Sequence, residues 1–308
     1  MQMPEVSLFE WQQKYGTLAD CQKGLAELRW PEGFVCPVCG SKKYSFITTR
    51  YDFECRNCGR QTSVVSGTIF QSSNVPLPKW FLAIYLCASD KGGISAMRLS
   101  KELDVSWITA NRMLRKLRTV MADRDALNRL SGHIEVDDAL VGGKQAGKRG
   151  RGALGKTAII VAVERREAQT KTRRTEVAGY MAVGVLSEGV TGEAVDAFVE
   201  SAISPGSEQV IRTDAYSALN VIAKKRTHEK KVTPPEEANT WLPLVHIVIG
   251  NIKTFLNGTF HGVSSTYLHE YLAEFNYRFN RRRQERQLPM RLLNACQAHG
   301  PVTIAALS

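Results

Sequence analysis

His133-Ile134-Glu135-Val136-Asp137-Asp138-Ala139-Leu140-Val141 is the stretch on which the fold turns. Apolar residues at 134, 136, 140 and 141 mark a strand, and three carboxylates lie among them. Side chains alternate between the two faces of a strand, so Glu135 and Asp137 share one face and Asp138 takes the other. Two further apolar runs, 157–164 and 176–186, predict strands joined by a basic turn at 165–174, which makes a three-strand meander. A helix over 193–203 with Thr191 as N-cap follows, then a short buried strand, 209–213, that ends at Asp214. The glycine-rich basic stretch 142–155 and the polar, proline-containing stretch 224–237 read as loops, and the last helices as 247–256 and 264–280. Strands interleaved with helices predict an α/β domain.

The chain before this domain has a different character. Residues 6–29 place Phe9, Trp11, Leu18, Leu25 and Leu28 at roughly helical spacing. Residues 34–70 are rich in Gly, Cys, Thr and aromatics, with short strands expected at 44–48 and 51–54, and Pro76 and Pro78 close the segment. From 80 to 120 the pattern is helical, with breaks at 91–93 and 104–106. The expected organisation is an N-terminal helical segment (1–33), a cysteine module (34–70), a helical domain (76–130), the α/β domain (131–290) and a C-terminal tail (291–308).

Cys36-Pro-Val-Cys39 and Cys55-Arg-Asn-Cys58 are separated by fifteen residues, and a glycine, Gly40 or Gly59, follows each pair. Such spacing lets two knuckle turns present four thiolates to one Zn2+ ion, with iron as the alternative metal. Four thiolates leave no open coordination position, so this zinc is structural. Cys21, Cys87 and Cys296 are scattered through expected helices, a usage that fits a reducing compartment and not a disulfide framework. The apolar runs 80–88 and 158–163 are too short to span a bilayer, and residues 1–15 lack the apolar stretch of a signal peptide, so a cytoplasmic protein is expected.

Lys plus Arg number 41 against 30 Asp plus Glu, a formal charge of +11 that favours a polyanionic partner such as nucleic acid. Residues 94–118 have helix-turn-helix grammar: Ser95 leads one helix, Asp104-Val105 turns, and Ser106 caps a second. That second helix carries Asn111, Arg112, Arg115, Lys116 and Arg118 as candidate DNA contacts, with Ile108, Met113, Leu114 and Leu117 as its core face. Basic clusters at 144–156, 165–174, 224–231 and 281–286 are candidates for a DNA path. Two aspartates at the ends of adjacent strands, Asp137 and Asp214, could hold a pair of divalent cations against a phosphodiester.

Glu135-Val-Asp137-Asp138, Gly142-Gly143-Lys144, Thr213-Asp214-Ala-Tyr216, Gly258-Thr-Phe-His261-Gly262-Val-Ser264 and Glu274-Phe-Asn-Tyr-Arg278-Phe-Asn280-Arg281-Arg282 occur in that order. Together they resemble the zinc-ribbon DDE transposases of bacterial insertion sequences. Residues 36–70 resemble that family's zinc ribbon and 78–118 its helix-turn-helix, so the similarity runs from about Leu18 to Arg283. The resemblance implies a ribonuclease-H-like catalytic core, Mg2+ or Mn2+ as catalytic cofactor, and double-stranded DNA as partner, namely terminal inverted repeats and target. A homodimer or higher oligomer, needed to hold two DNA ends, is also implied. Asp137 and Asp214 take the roles of the first two metal ligands. Counting back from Gly258 along the family pattern gives Lys253, expected at the phosphate, and then His246 as the third ligand. The family's usual residue there is glutamate, or asparagine in some relatives; imidazole brings no negative charge and suits Mn2+ better than Mg2+. Asn251 is a second candidate for that ligand. Two rival readings remain: an inactive or domesticated DNA-binding protein, and a zinc-ribbon nuclease acting on branched DNA.

Overall fold

The computed structural model describes residues 3–142, 156–169, 174–232, 234, 238–303 and 305. The chain divides into two compact units, Met1–Met121 with Arg283–Ser308, and Ala122–Arg282. Among the described residues no helix is long and apolar enough to cross a membrane.

In the first unit, the segment expected as one amphipathic helix is two, α1 (Leu8–Lys14) and α2 (Leu18–Arg29). Each begins with a reciprocal capping box, Ser7 with Glu10 and Thr17 with Asp20, which satisfies amide donors that a helix start leaves unpaired. Strands β1 (Tyr44–Ile47), β2 (Asp52–Cys55) and β3 (Gln61–Ser63) form a small antiparallel sheet in that order. Its face is aromatic: Phe34 stacks on Phe53 at 5.1 Å between ring centres, and Trp30 meets Phe53 edge-on at 4.8 Å. Helices α3 (Leu77–Ser89), α4 (Ala96–Leu103) and α5 (Trp107–Asp125) follow, broken where the glycines and the Asp104 turn predict. Asp104 itself is left-handed, with φ of 47°.

Residues 291–308, expected as a tail, include much of a helix, Leu288–Ala298, which packs on α3 and buries Leu292, Leu293 and Cys296. Pro289 stands in its first turn, where a missing N–H costs nothing, so it marks the start of the helix.

The second unit is built on a five-stranded sheet ordered β6-β5-β4-β7-β8, with β4 (His133–Val141) at its centre. Strands β5 (Thr157–Gln169) and β6 (Arg174–Leu186) complete the antiparallel meander. Their pairing continues out to Gln169↔Arg174, so the stretch expected as a turn is mostly ladder. After α6 (Gly192–Ala202), strands β7 (Val210–Asp214) and β8 (Thr227–Lys231) join parallel to β4 and to each other. Strand β8 replaces part of the expected loop at 224–237. Its sequence, Thr-His-Glu-Lys-Lys, has no apolar alternation because an edge strand is fixed by its ladder on one side and buries little.

The chain then forms α7 (Ala238–Trp241), α8 (Pro243–Gly258) and α9 (Leu268–Asn280). Odd-numbered β4 residues Ala139 and Val141 pack towards α8 and α9, even-numbered Ile134 and Val136 towards α6. Both faces of the sheet are therefore covered, and residues 158–163 of β5 are all buried.

Candidate functional site

The four thiols of the ribbon converge. Cys36 and Cys58 sulfurs are 3.6 Å apart, Cys39 and Cys55 sulfurs 3.5 Å, and all four lie within 4.8 Å of one another. Ligands ~2.3 Å from a tetrahedral Zn2+ would stand about 3.8 Å apart, so the cluster fits one such ion. Crowding also splits their acidity. Amide donation from Ser41, helped by Asn57, brings Cys39 down to about 6. Cys58 is pushed up to about 12, since desolvation and the three neighbouring sulfurs outweigh the Arg60 amide that favours its thiolate. Among the described residues this is the only His, Cys, Asp and Glu cluster tight enough to hold a metal ion outright.

The second constellation lies where β4, β7 and α8 meet. In the parallel register Glu135 pairs with Arg212, so Asp137 and Asp214, each two residues further on, stand at the same height on neighbouring strands. Asp214 Oδ1 accepts the Tyr216 amide at 3.1 Å, a local turn that fixes its side chain. The Trp241 indole N–H binds the Thr213 carbonyl at 2.8 Å and steadies the same strand end.

His246 comes to this site from the first turn of α8, with Nε2 3.1 Å from Asp137 Oδ2. That hydrogen bond, with further attraction from Asp137, Glu135 and Asp214, raises the His246 pKa against the opposing effect of burial. Asp137, Asp138, His246, Gly250 and Lys253 together line a cavity of about 550 Å3. Asn251, the second candidate ligand, is exposed and does not line it. Five positions along a helix is about 140° of rotation, which carries Asn251 away from the face of His246.

Glu135 is the residue whose part sequence reasoning missed. Its carboxylate is wholly buried, and Oε2 accepts the backbone amides of Leu244 at 2.8 Å and Val245 at 2.9 Å. Helix α8 has no side-chain cap of its own, so a residue more than a hundred positions upstream supplies one. Arg165 approaches the other carboxylate oxygen at 3.5 Å and also binds Glu176. Burial raises the Glu135 pKa, while the two amides and Arg165 pull it down. This clamp ties the start of α8 to β4 two residues from Asp137, and so sets His246 against Asp137. The signal was present as a carboxylate on the same strand face, but its partner was not legible.

The helical candidates divide. Met113, Leu114 and Leu117 are buried as expected, but Ile108 is 55% exposed, and Arg118 only 1%. Arg118 follows Leu114 by four positions and lies on the packed face of α5, so it leaves the DNA-contact set. Arg112 and Lys116 line a cavity of about 500 Å3 with Lys79, Ser106 and Thr109, and Asn111 and Arg115 are part-exposed.

Several clustered arginines are held inside the protein. Arg226 binds Glu200 and the carbonyls of Ile203 and Ser204, Arg281 binds Asp125 at 2.7 Å, and Arg282 binds the carbonyls of Ala178, Gly179 and Phe279. Of the cluster at 144–156 only Lys156 lies within the described residues, as do all but 170–173 of the cluster at 165–174.

Comparison with known proteins adds independent findings. Residues 129–280 match the family model of the ISXO2-like transposase domain, and residues 16–61 that of the transposase zinc-ribbon domain. An uncharacterized protein in transposable element ISH50 of Halobacterium salinarum is 32% identical over 173 residues, 55% of this chain. The match spans about half (54%) of that relative's length. Among solved structures, the Mos1 transposase paired-end complex with left transposon end overlaps 65% of this chain and 76% of its own, at 9% identity and a TM-score of 0.21. A pre-cleavage Mos1 transpososome overlaps 68% and 76%, at 10% identity and the same TM-score. Neither overlap bears on the fold at that score; the two family models, which cover the ribbon and the carboxylate-bearing domain in turn, do bear on descent. The chain belongs to the zinc-ribbon DDE transposases of insertion sequences.

Proposed function

We propose that the chain is the transposase of an insertion sequence, which binds the element's ends and carries out metal-dependent cleavage and joining of DNA strands. In the first step water adds at phosphorus, releasing a 3′ hydroxyl at the element's end and a 5′ phosphate on the flank. In the second that hydroxyl attacks a phosphodiester of target DNA, whose own 3′ hydroxyl leaves. The observation that carries this reading is the parallel register of β4 and β7, which sets Asp137 and Asp214 each two residues beyond the last pair, with His246 3.1 Å from Asp137 in a cavity that Lys253 also lines.

Two carboxylates and an imidazole form an oxygen-rich donor set that suits Mg2+ or Mn2+, the nitrogen tilting the preference towards Mn2+. Bound there, the ion or ions would activate the attacking oxygen and neutralise charge on the leaving one. Lys253, exposed on the same wall, supplies a cation for the phosphate. Glu135 holds the start of α8, so His246 meets Asp137 without a search over helix positions. A sheet order with the first carboxylate on the central strand and the second on the parallel neighbour supports a ribonuclease-H-like core. The α4–α5 pair, with Asn111, Arg112, Arg115 and Lys116, serves as a helix-turn-helix for double-stranded terminal repeats, and the ribbon cysteines hold structural Zn2+. Two ends must be held together, so the working form is a homodimer or larger assembly.

The test uses purified protein, labelled DNA carrying the repeat that flanks its gene, and Mg2+ or Mn2+. The expected result is nicking and joining by the native chain, and unimpaired binding but no cutting by Asp137→Asn or Asp214→Asn. Normal cutting by either variant refutes the assignment. A second reading, a DNA-binding protein without turnover, is favoured by histidine at position 246; binding without nicking by the native chain would select it.

A further inference from the structure

Of the four apolar residues expected on the core face of α5, Met113, Leu114 and Leu117 are buried and Ile108 alone stays exposed. A helix turns about 100° per residue, so Leu114, Leu117 and Met121 form one packed stripe and Ile108 stands on the far side. Arg112, Arg115 and Thr119 follow Ile108 at spacings of four, seven and eleven, which puts them on the same outward stripe. An isoleucine therefore heads a basic and polar face. Residues 107–122 contain no aspartate or glutamate, so a polyanion meets no repulsion along it.

The adjoining flank of α5 is built differently. Arg112 and Lys116 line a cavity there with Lys79 of α3 and the Ser106 and Thr109 hydroxyls, and its walls among the described residues carry no carboxylate. Lys79 Nζ donates to the Asp104 carbonyl at 2.9 Å, and Ser106 Oγ accepts the Thr109 amide at 3.1 Å, so the turn and the start of α5 are fixed beside it. Cations and hydroxyls suit a sugar-phosphate backbone, and a duplex held on this flank would present its base edges to the stripe headed by Ile108.

A helix fits the major groove, and its first residues meet the bases; Ile108 is the second residue of α5. The base edges exposed in that groove are hydrogen-bond donors and acceptors, and the one apolar group among them is the C5-methyl of thymine. We infer that Ile108 reads a thymine of the element's terminal repeat through that methyl group. The inference rests on the end-binding role proposed for α4 and α5. Met97 and Trp107 are exposed apolar residues of the same pair. Met97, however, belongs to α4, the helix that crosses the backbone in such a pair, and Trp107 lies about 100° round α5 from Ile108, so neither shares its stripe.

The experiment replaces each thymine of the repeat in turn by deoxyuridine, which removes the methyl group and keeps every hydrogen-bonding atom. Affinity is read by fluorescence anisotropy at one salt concentration. The native chain is expected to lose about fourfold in affinity at one thymine, the worth of one buried methyl-sized group. Ile108→Ser should bind the thymine repeat more weakly by the same factor and bind the thymine and uracil forms equally. Ile108→Val, which keeps a branched apolar surface, should retain most of the native preference. No loss at any thymine by the native chain overturns the inference, as does a loss that Ile108→Ser leaves intact. A native chain that holds the repeat no more tightly than unrelated duplex overturns the end-binding role as well, so the two failures are told apart.

Discussion

Glu135 carries a structural role beside the candidate carboxylate Asp137. Two buried amides depend on it and a guanidinium lies nearby, so Glu135→Ala leaves both amides without their partner and Arg165 with Glu176. Loss of one member of such a buried group costs about 3–5 kcal/mol, to be read as a lower urea midpoint. Glu135→Gln keeps an acceptor oxygen for the amides and should recover much of that stability. Recovery no better than with alanine would show that charge, and not the hydrogen bonds, holds α8. Arg281 is a parallel case: with side chains of Arg281 and Asp125 only 12% and 5% exposed, Arg281→Ala takes the paired cation from a buried carboxylate and leaves it the Asn276 and Asn280 amides. It should lower thermal stability markedly yet leave the salt dependence of DNA affinity unchanged. A shallower salt slope in that variant would return Arg281 to the DNA path.

Helix α8 contains a glycine where a helix gains nothing from one. A methyl group at Gly250 would meet no atom within 4 Å, and Gly250 lies on the cavity wall between His246 and Lys253. Gly250→Ala should stabilise the helix by up to about 1 kcal/mol. If the bare backbone is there to admit the DNA strand, the same variant should cut DNA at least tenfold more slowly. A variant both more stable and fully active would leave the glycine without a functional role. The α9 end shows a related economy of position: Asn280 bonds the Met181 amide at 2.8 Å and its carbonyl at 3.0 Å, completing the free edge of β6 as a strand would.

For the molecule as a whole, the charge of +11 overstates the basic surface open to a polyanion, because Arg226, Arg281 and Arg282 are tied to internal acceptors. The ribbon adds a second dependence. Purified chain should contain one zinc per molecule by elemental analysis, and Cys55→Ser should lose both the metal and the ordered sheet. A full native circular dichroism spectrum and unchanged melting after zinc removal would refute a structural ion.

Local chemistry made much of this protein legible in its sequence. The cysteine spacing, the breaks between α3, α4 and α5, the meander and the strand that ends at Asp214 are each marked by patterns that span only a few residues, and the structure has each of them. The tertiary structure alone decided the rest. Edge strand β8 has no pattern because its partner fixes it, and Arg118 is buried because of what α5 packs against. Which turn of α8 faces Asp137 depends on a carboxylate on β4, and neighbours so far apart in the chain leave no periodic trace in either segment. The sequence could name Asp137, Asp214 and His246 as candidates; only folding could set the two strands in register and bring His246 to Asp137.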